Sequence, residues 1–226
     1  MIKHSFIGSN SISKYLDSSD LSTYDPYDIW KTRFGLYVKQ HYYSSPKLFL
    51  LPAMGLSFFD LYLNNKFRIF YSKQEYPIVR ALAAISSILL YQNERNESYL
   101  NKAKEHVNWL LENKIRTTNG IGWGIGFTWP AGKNLVYSDS APLSTHTPYI
   151  LEAVFLLNKY RNLDFDLFYK EVFAFFEKDL KILYEDENSM AISYGSFNDR
   201  IATNATSYAL FSYSIFYQVL PDKRVI

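Results

Sequence analysis

The chain has 226 residues and a mass of 26.5 kDa, with 48% apolar residues, 20% charged residues and a formal charge of +2. This is a globular composition: it excludes wholesale disorder and leaves no basic footprint for nucleic acid or an anionic membrane. The absence of cysteine excludes disulfides, thiolate zinc sites and cysteine nucleophiles together.

The N-terminus is a polar arm over 1–24. It has no apolar signal-peptide core, which sets the expectation of a cytoplasmic chain. From residue 25 to 226 a single helical domain is predicted. Asp25-Pro26, Ser45-Pro46, Tyr76-Pro77 and Thr147-Pro148 each place proline where a first helical position falls, three of them after a good N-cap. Helices are expected over 26–41, 47–64, 77–92, 97–115, 148–160 and 165–184, with a last one opening near Asn204. The longest apolar stretch, Leu48 to Phe59, contains Pro52 and falls short of the roughly 20 residues that span a bilayer, so no membrane contact is expected.

Apolar residues recur at helical spacing along these segments. Leu100, Ala103, Val107, Leu110 and Leu111 form one stripe, and Ile150, Ala153, Val154, Leu157 and Tyr160 a second. Phe168, Val172, Phe175, Phe176 and Leu183 give a third; Tyr208, Phe211, Ile215 and Val219 a fourth. No segment alternates with period two, so little sheet is expected. Short polar links at 93–96 and 161–164 make antiparallel αα-hairpins whose first helices start at Pro77 and Pro148. Two long connections, Thr117 to His146 and Glu185 to Ala202, then fall at the same end of the hairpins, and long loops of this kind usually carry function.

The first long loop contains Gly120-Ile121-Gly122-Trp123-Gly124-Ile125-Gly126-Phe127-Thr128-Trp129-Pro130. It lacks the third glycine of a dinucleotide fingerprint and is no P-loop. Alternating glycines and large rings suit display of flat rings to sugar faces, or else a tight turn whose Trp residues plug the core. Asp139 and His146 follow, and Tyr149 and Glu152 share a face of the next helix at i, i+3. A carboxyl beside a phenol serves as general acid or base if burial raises its pKa; the alternative is that both satisfy loop backbone. The second loop offers Tyr194 and Asp199, and Asn204 stands at a helix start as an N-cap, a ligand contact or both.

Four dispersed histidines (His4, His41, His106, His146) without an H-E-x-x-H pattern speak against a metal site. The carboxylate motifs of terpenoid cyclisation and the serine nucleophile elbow are absent as well, and no cofactor is expected.

The segment Trp123-Gly124 to Trp129, then Thr145-His146-Thr147-Pro148-Tyr149 with Glu152-Ala153, then Tyr194-Gly195 and Thr203-Asn204-Ala205 resembles the α/α-toroid proteins of six-hairpin type found in bacterial polysaccharide and glycan pathways. The resemblance covers roughly Tyr76 to Tyr217. It implies an all-α fold of antiparallel hairpins in a toroid, partial here because about seven helices are counted against about twelve in a closed ring. It also implies a saccharide ligand in the cavity where the inter-hairpin loops converge. Glu152, Asp139, His146 and Tyr149 are then the catalytic candidates for a hydrolase, lyase or epimerase. Trp123, Phe127, Trp129, Tyr194, Asp199 and Asn204 are the substrate-binding candidates. A partial toroid is expected to self-associate through its open edge. The alternative is a non-catalytic helical-hairpin adaptor that binds a protein partner.

Overall fold

The computed structural model describes residues 15, 16, 18, 20–197 and 200–220. These residues are mostly helical, with three two-stranded antiparallel sheets, and form two compact units. The larger unit contains the residues up to Leu21, Glu75–Gly124 and those from Pro142 on; the smaller contains Ser22–Gln74 and Ile125–Ala141.

The helix expected over 26–41 is two. Helices α1 (Asp28–Lys31) and α2 (Arg33–Ser44) part at Thr32, which takes extended backbone, and the Thr32 hydroxyl accepts the Gly35 N–H at 3.0 Å to cap α2. Helix α3 (Pro46–Phe58) starts on its proline and continues as a π-helical turn, Phe59–Asn64. Together they make 19 residues with a mean hydropathy of 1.2, long and apolar enough by length and composition to cross a membrane, and only Asn64 at the end of that stretch is buried. Beyond it Gln74 pairs back with Thr23, each N–H donating to the other's carbonyl at 3.0 Å, so the entry and exit of the excursion are joined.

In the larger unit α4 (Pro77–Glu94) and α5 (Glu97–Glu112) form the first expected hairpin. The chain reverses through Arg95 in the left-handed region (φ 57°), and the Asn96 side chain accepts the Ser98 N–H at 3.0 Å. The first long loop is not bare coil. It pairs β1 (Ile115–Arg116) with β2 (Ile121–Gly122) and, in the smaller unit, β3 (Trp129–Gly132) with β4 (Leu135–Tyr137). Helices α6 (Thr147–Arg161) and α7 (Asp166–Ala174, extended by a π-helical turn Phe175–Asp179) form the second hairpin around left-handed Asn162.

Two sequence expectations fail after α7. The helix predicted to 184 stops at Asp179, because Leu180 turns extended and Ile182–Glu185 becomes β5, paired with β6 (Met190–Ile192). The Asp186 carboxylate accepts the Asn188 and Ser189 N–H groups at 2.8 and 2.7 Å and closes that turn. Helix α8 (Thr203–Val219) buries Ala205, Ala209, Ser212, Ile215 and Phe216, while Phe211 of the predicted stripe stays exposed. Small residues let α8 lie close on α6, and that close approach sets which face turns inward. Of the other stripes, Leu100, Val107, Leu110, Ile150, Leu157 and Phe175 meet in one core, whereas Tyr160 is exposed and Leu183 falls on β5 instead of a helix. Leu16 and Leu21 of the polar arm pack on Ala83 of α4.

Candidate functional site

Backbone bonds bring the two long loops together in the larger unit. The Leu143 N–H donates to the Trp123 carbonyl at 2.9 Å and the Trp123 N–H to the Thr147 hydroxyl at 3.0 Å. The Ser144 N–H and hydroxyl both reach the Tyr194 carbonyl, at 3.1 and 3.0 Å, and Leu143 bridges Gly195. These contacts sit at the N-terminal end of α6, where Pro148 presets the first turn.

Trp123 lies inside this junction. It is fully buried, its indole N–H donates to the Leu110 carbonyl at 2.9 Å, and its ring packs on Phe168. With no ring face left for a ligand, Trp123 is a core plug, and its expected role as a sugar platform is corrected. Close packing explains part of the Gly-rich run: a Cβ on Gly120, three residues before Trp123, would collide with the Glu171 carbonyl oxygen and the Phe175 nitrogen of the α7 region.

Five of the other expected residues lie on or beside α6 and α8. The Tyr149 and Tyr208 phenols hydrogen-bond to each other, and Tyr208 is held up at about 12 by that bond, then by burial and by the charges of Tyr149 and Glu152. Glu152 is half-buried one turn on from Tyr149, and burial raises its pKa. His146 precedes α6 with Nδ1 3.2 Å from the Thr145 hydroxyl; burial lowers it to about 4, so it is neutral at pH 7. Tyr194 is half-buried against the core with the Arg200 guanidinium 5.9 Å from its ring. Asn204 is exposed in the first turn of α8; Ala202 occupies the cap position, so Asn204 is not the N-cap. Asp199 lies outside the described residues.

The remaining three, Phe127, Trp129 and Asp139, belong to the smaller unit. Phe127 and Asp139 line a cavity of about 350 Å³ together with Asp28, Phe70, Tyr71 and Gln74. The Gln74 side-chain amide donates to the Gly126 carbonyl at 2.5 Å, where Gly126 takes a positive φ of 77°. Asp28 is buried but satisfied: it accepts the Asp25 N–H at 2.8 Å and the Lys31 ammonium at 3.0 Å, and that ammonium also stands 4.3 Å from the Phe127 ring centre. Tyr71 donates to Asp60 at 2.5 Å and is pushed up to about 12, first by burial and then by that carboxylate. Trp129 meets Tyr27 and Phe127 edge to face while the Lys39 ammonium covers its ring, so it braces the site rather than offering an open face.

The cavity residues Asp28, Tyr71 and Gln74 were not foreseen. The Asp25, Asp28 and Lys31 spacing is a local signal of an ion-paired turn, but the approach of Gln74 to Gly126 crosses 52 positions and leaves no sequence trace. Among the described residues no three His, Asp or Glu side chains converge to hold a metal ion.

Chemically, the two arrangements differ. A carboxyl whose pKa is raised by burial, set beside paired phenols, is placed to exchange a proton with a bound ligand. A ring-edged cavity with carboxylates and an amide can hold a polyhydroxylated ligand.

No family model and no curated protein matches the chain. Among solved structures, a family 76 glycoside hydrolase from a bovine Bacteroides thetaiotaomicron strain is similar to 84% of the chain at 17% identity and a TM-score of 0.45. The chain spans 42% of that enzyme's length, and a likeness at this score establishes neither a closed toroid nor a reaction.

Proposed function

We propose that the chain binds a saccharide in the cavity of its smaller unit and acts in carbohydrate metabolism. The observation that carries this reading is the joining of the Phe127 ring with the Asp28 and Asp139 carboxylates and the Gln74 amide around one space of about 350 Å³. Sugar C–H faces stack on rings, and sugar hydroxyls donate to carboxylates and accept from amide and ammonium groups such as that of Lys31, so this mixture suits a glycan better than an apolar ligand. Titration with neutral and uronate oligosaccharides, followed by tryptophan fluorescence, tests it. Trp129 touches Phe127 edge to face with ring centres 5.9 Å apart and is the reporter. A saturable change is expected, weakened roughly tenfold by Phe127→Ala or Asp139→Ala. Silence with both glycan classes overturns the reading.

The larger unit favours a second reading, acid–base catalysis on a glycan, because Glu152 is raised by burial next to the hydrogen-bonded Tyr149 and Tyr208. A single raised carboxyl with phenol partners suits proton transfer, as in a lyase or epimerase, more than two-carboxylate hydrolysis. Glu152→Gln is then expected to abolish turnover of the glycan while leaving the melting temperature unchanged; retained turnover removes Glu152 from the chemistry.

A further inference from the structure

Helices α2 and α3 enclose an apolar groove of about 550 Å³ whose lining includes Tyr42, Tyr43, Leu50, Met54, Phe58 and Leu61. Lys39 is its one charged lining residue. Burial lowers Lys39 to about 7, and its ammonium lies over the Trp30 and Trp129 rings, so the groove presents almost no charge to a partner. Along α3 and its π-helical turn, Leu50, Leu51, Met54, Phe58, Leu61 and Tyr62 fall within about 120° of the helix circumference. All six are between 46% and 76% exposed. Together they offer on the order of 700 Å² of side-chain surface, and with the tyrosines of the opposite wall they reach the roughly 800 Å² per partner of a stable interface.

A bilayer fits this surface less well than a protein. The Thr23–Gln74 pair fixes both ends of the excursion together, so α3 crosses a membrane only if α2 crosses beside it. Helix α2 has 12 residues, including Arg33, Lys39, Gln40 and His41, and is too short and too polar to do so. The surface is also concave between two helices, which asks for a row of side chains rather than lipid tails. The row of matching size and neutrality stands on the rim of the same groove.

We propose that this groove seats a second copy of the chain, with the Leu50–Met54–Phe58–Leu61 row of each copy lying in the groove of the other about a two-fold axis. Two antiparallel helix pairs then form a four-helix arrangement that buries both rows, the isologous solution for a self-complementary patch.

Sedimentation equilibrium of the whole chain between about 1 and 100 μM tests this. A monomer–dimer equilibrium is expected, and Met54→Glu with Phe58→Glu is expected to weaken it by about 100-fold or more. Leu48→Glu, on the same helix but off that row, is expected to leave it intact. Because the chain has no cysteine, a single Met54→Cys change in an otherwise native sequence gives an independent readout. Oxidation is expected to link two copies through position 54 and not through Leu48→Cys. A monomer at every concentration, a dimer indifferent to the double substitution, or a monomer that floats with phosphatidylcholine–phosphatidylglycerol vesicles overturns the proposal.

Discussion

Helices α5 and α3 show that apolar content and burial are separate properties. Helix α5 is polar on balance, yet it buries Leu100, Ala103, Val107 and Leu110 completely, because those residues make one stripe with Glu, Lys and Asn opposite. Helix α3 is far more apolar and buries none of its residues. It is apolar on several sides at once, so its sequence gives the chain no single face to turn inward. Contrast around the helix, rather than hydrophobicity, decides what the core takes.

That contrast can be broken from its strongest side first. Trp123→Ala empties a fully enclosed site and removes the bond to Leu110; it is expected to cost about 3–5 kcal/mol in urea unfolding monitored by circular dichroism. A pH titration of stability comes next. Burial holds His106 and His146 at about 4, with the Arg80 charge adding to the effect at His106, while both titrate near 6.5 when unfolded. Between those values the unfolded chain binds more protons, so stability is complete above pH 6.5 and falls as the pH drops toward 4, by up to about 3 kcal/mol per histidine. His106→Gln is expected to remove about half of that slope; a slope unchanged by it refutes the assignment. Gly120→Ala forces a methyl group onto backbone atoms of the α7 region and is expected to cost about 1–3 kcal/mol, read as a lowered urea midpoint. At the weak end, Leu48→Ser on α3 is expected to change stability by no more than about 0.5 kcal/mol, since Leu48 is 76% exposed. A loss comparable to that of Trp123→Ala would erase the distinction between the two helices.

Much of the larger unit was legible in the sequence, and the reason is local. Pro77 opens α4 at its first position, and Pro148 stands second in α6 because the expected cap Thr147 is already helical. Most residues of the stripes on α5 and α6 are buried, and Asn162 accepts the left-handed turn that reverses the chain. What was not legible depended on contacts far apart in sequence. Ile182–Glu185 continued an apolar helical pattern, and only its pairing with Met190–Ile192 makes it a strand. The glycine–tryptophan run left a sugar platform and a core plug both open, and only the distant contacts of Gly120 with α7 and Trp123 with α5 decide for the plug. The candidate site divided for the same reason: Phe127 and Asp139 lie with Gln74, and Glu152 and Tyr149 with Tyr208, pairings that no spacing along the chain announces.

One feature of the larger unit reaches beyond its own stability. Where the chain departs after Leu21 and comes back at Glu75, the Leu21 N–H donates to the Glu75 carboxylate at 2.9 Å; where it departs after Gly124 and comes back at Pro142, Trp123 and Leu143 are hydrogen-bonded. Both excursions are therefore stitched shut at the neck. Loop closure has already been met at those points, so lengthening or trimming the excursions adds little entropy cost to the helices that hold the neck. The larger unit therefore tolerates exchange of either excursion, over evolutionary or engineered time, without rebuilding the helices that close its two necks.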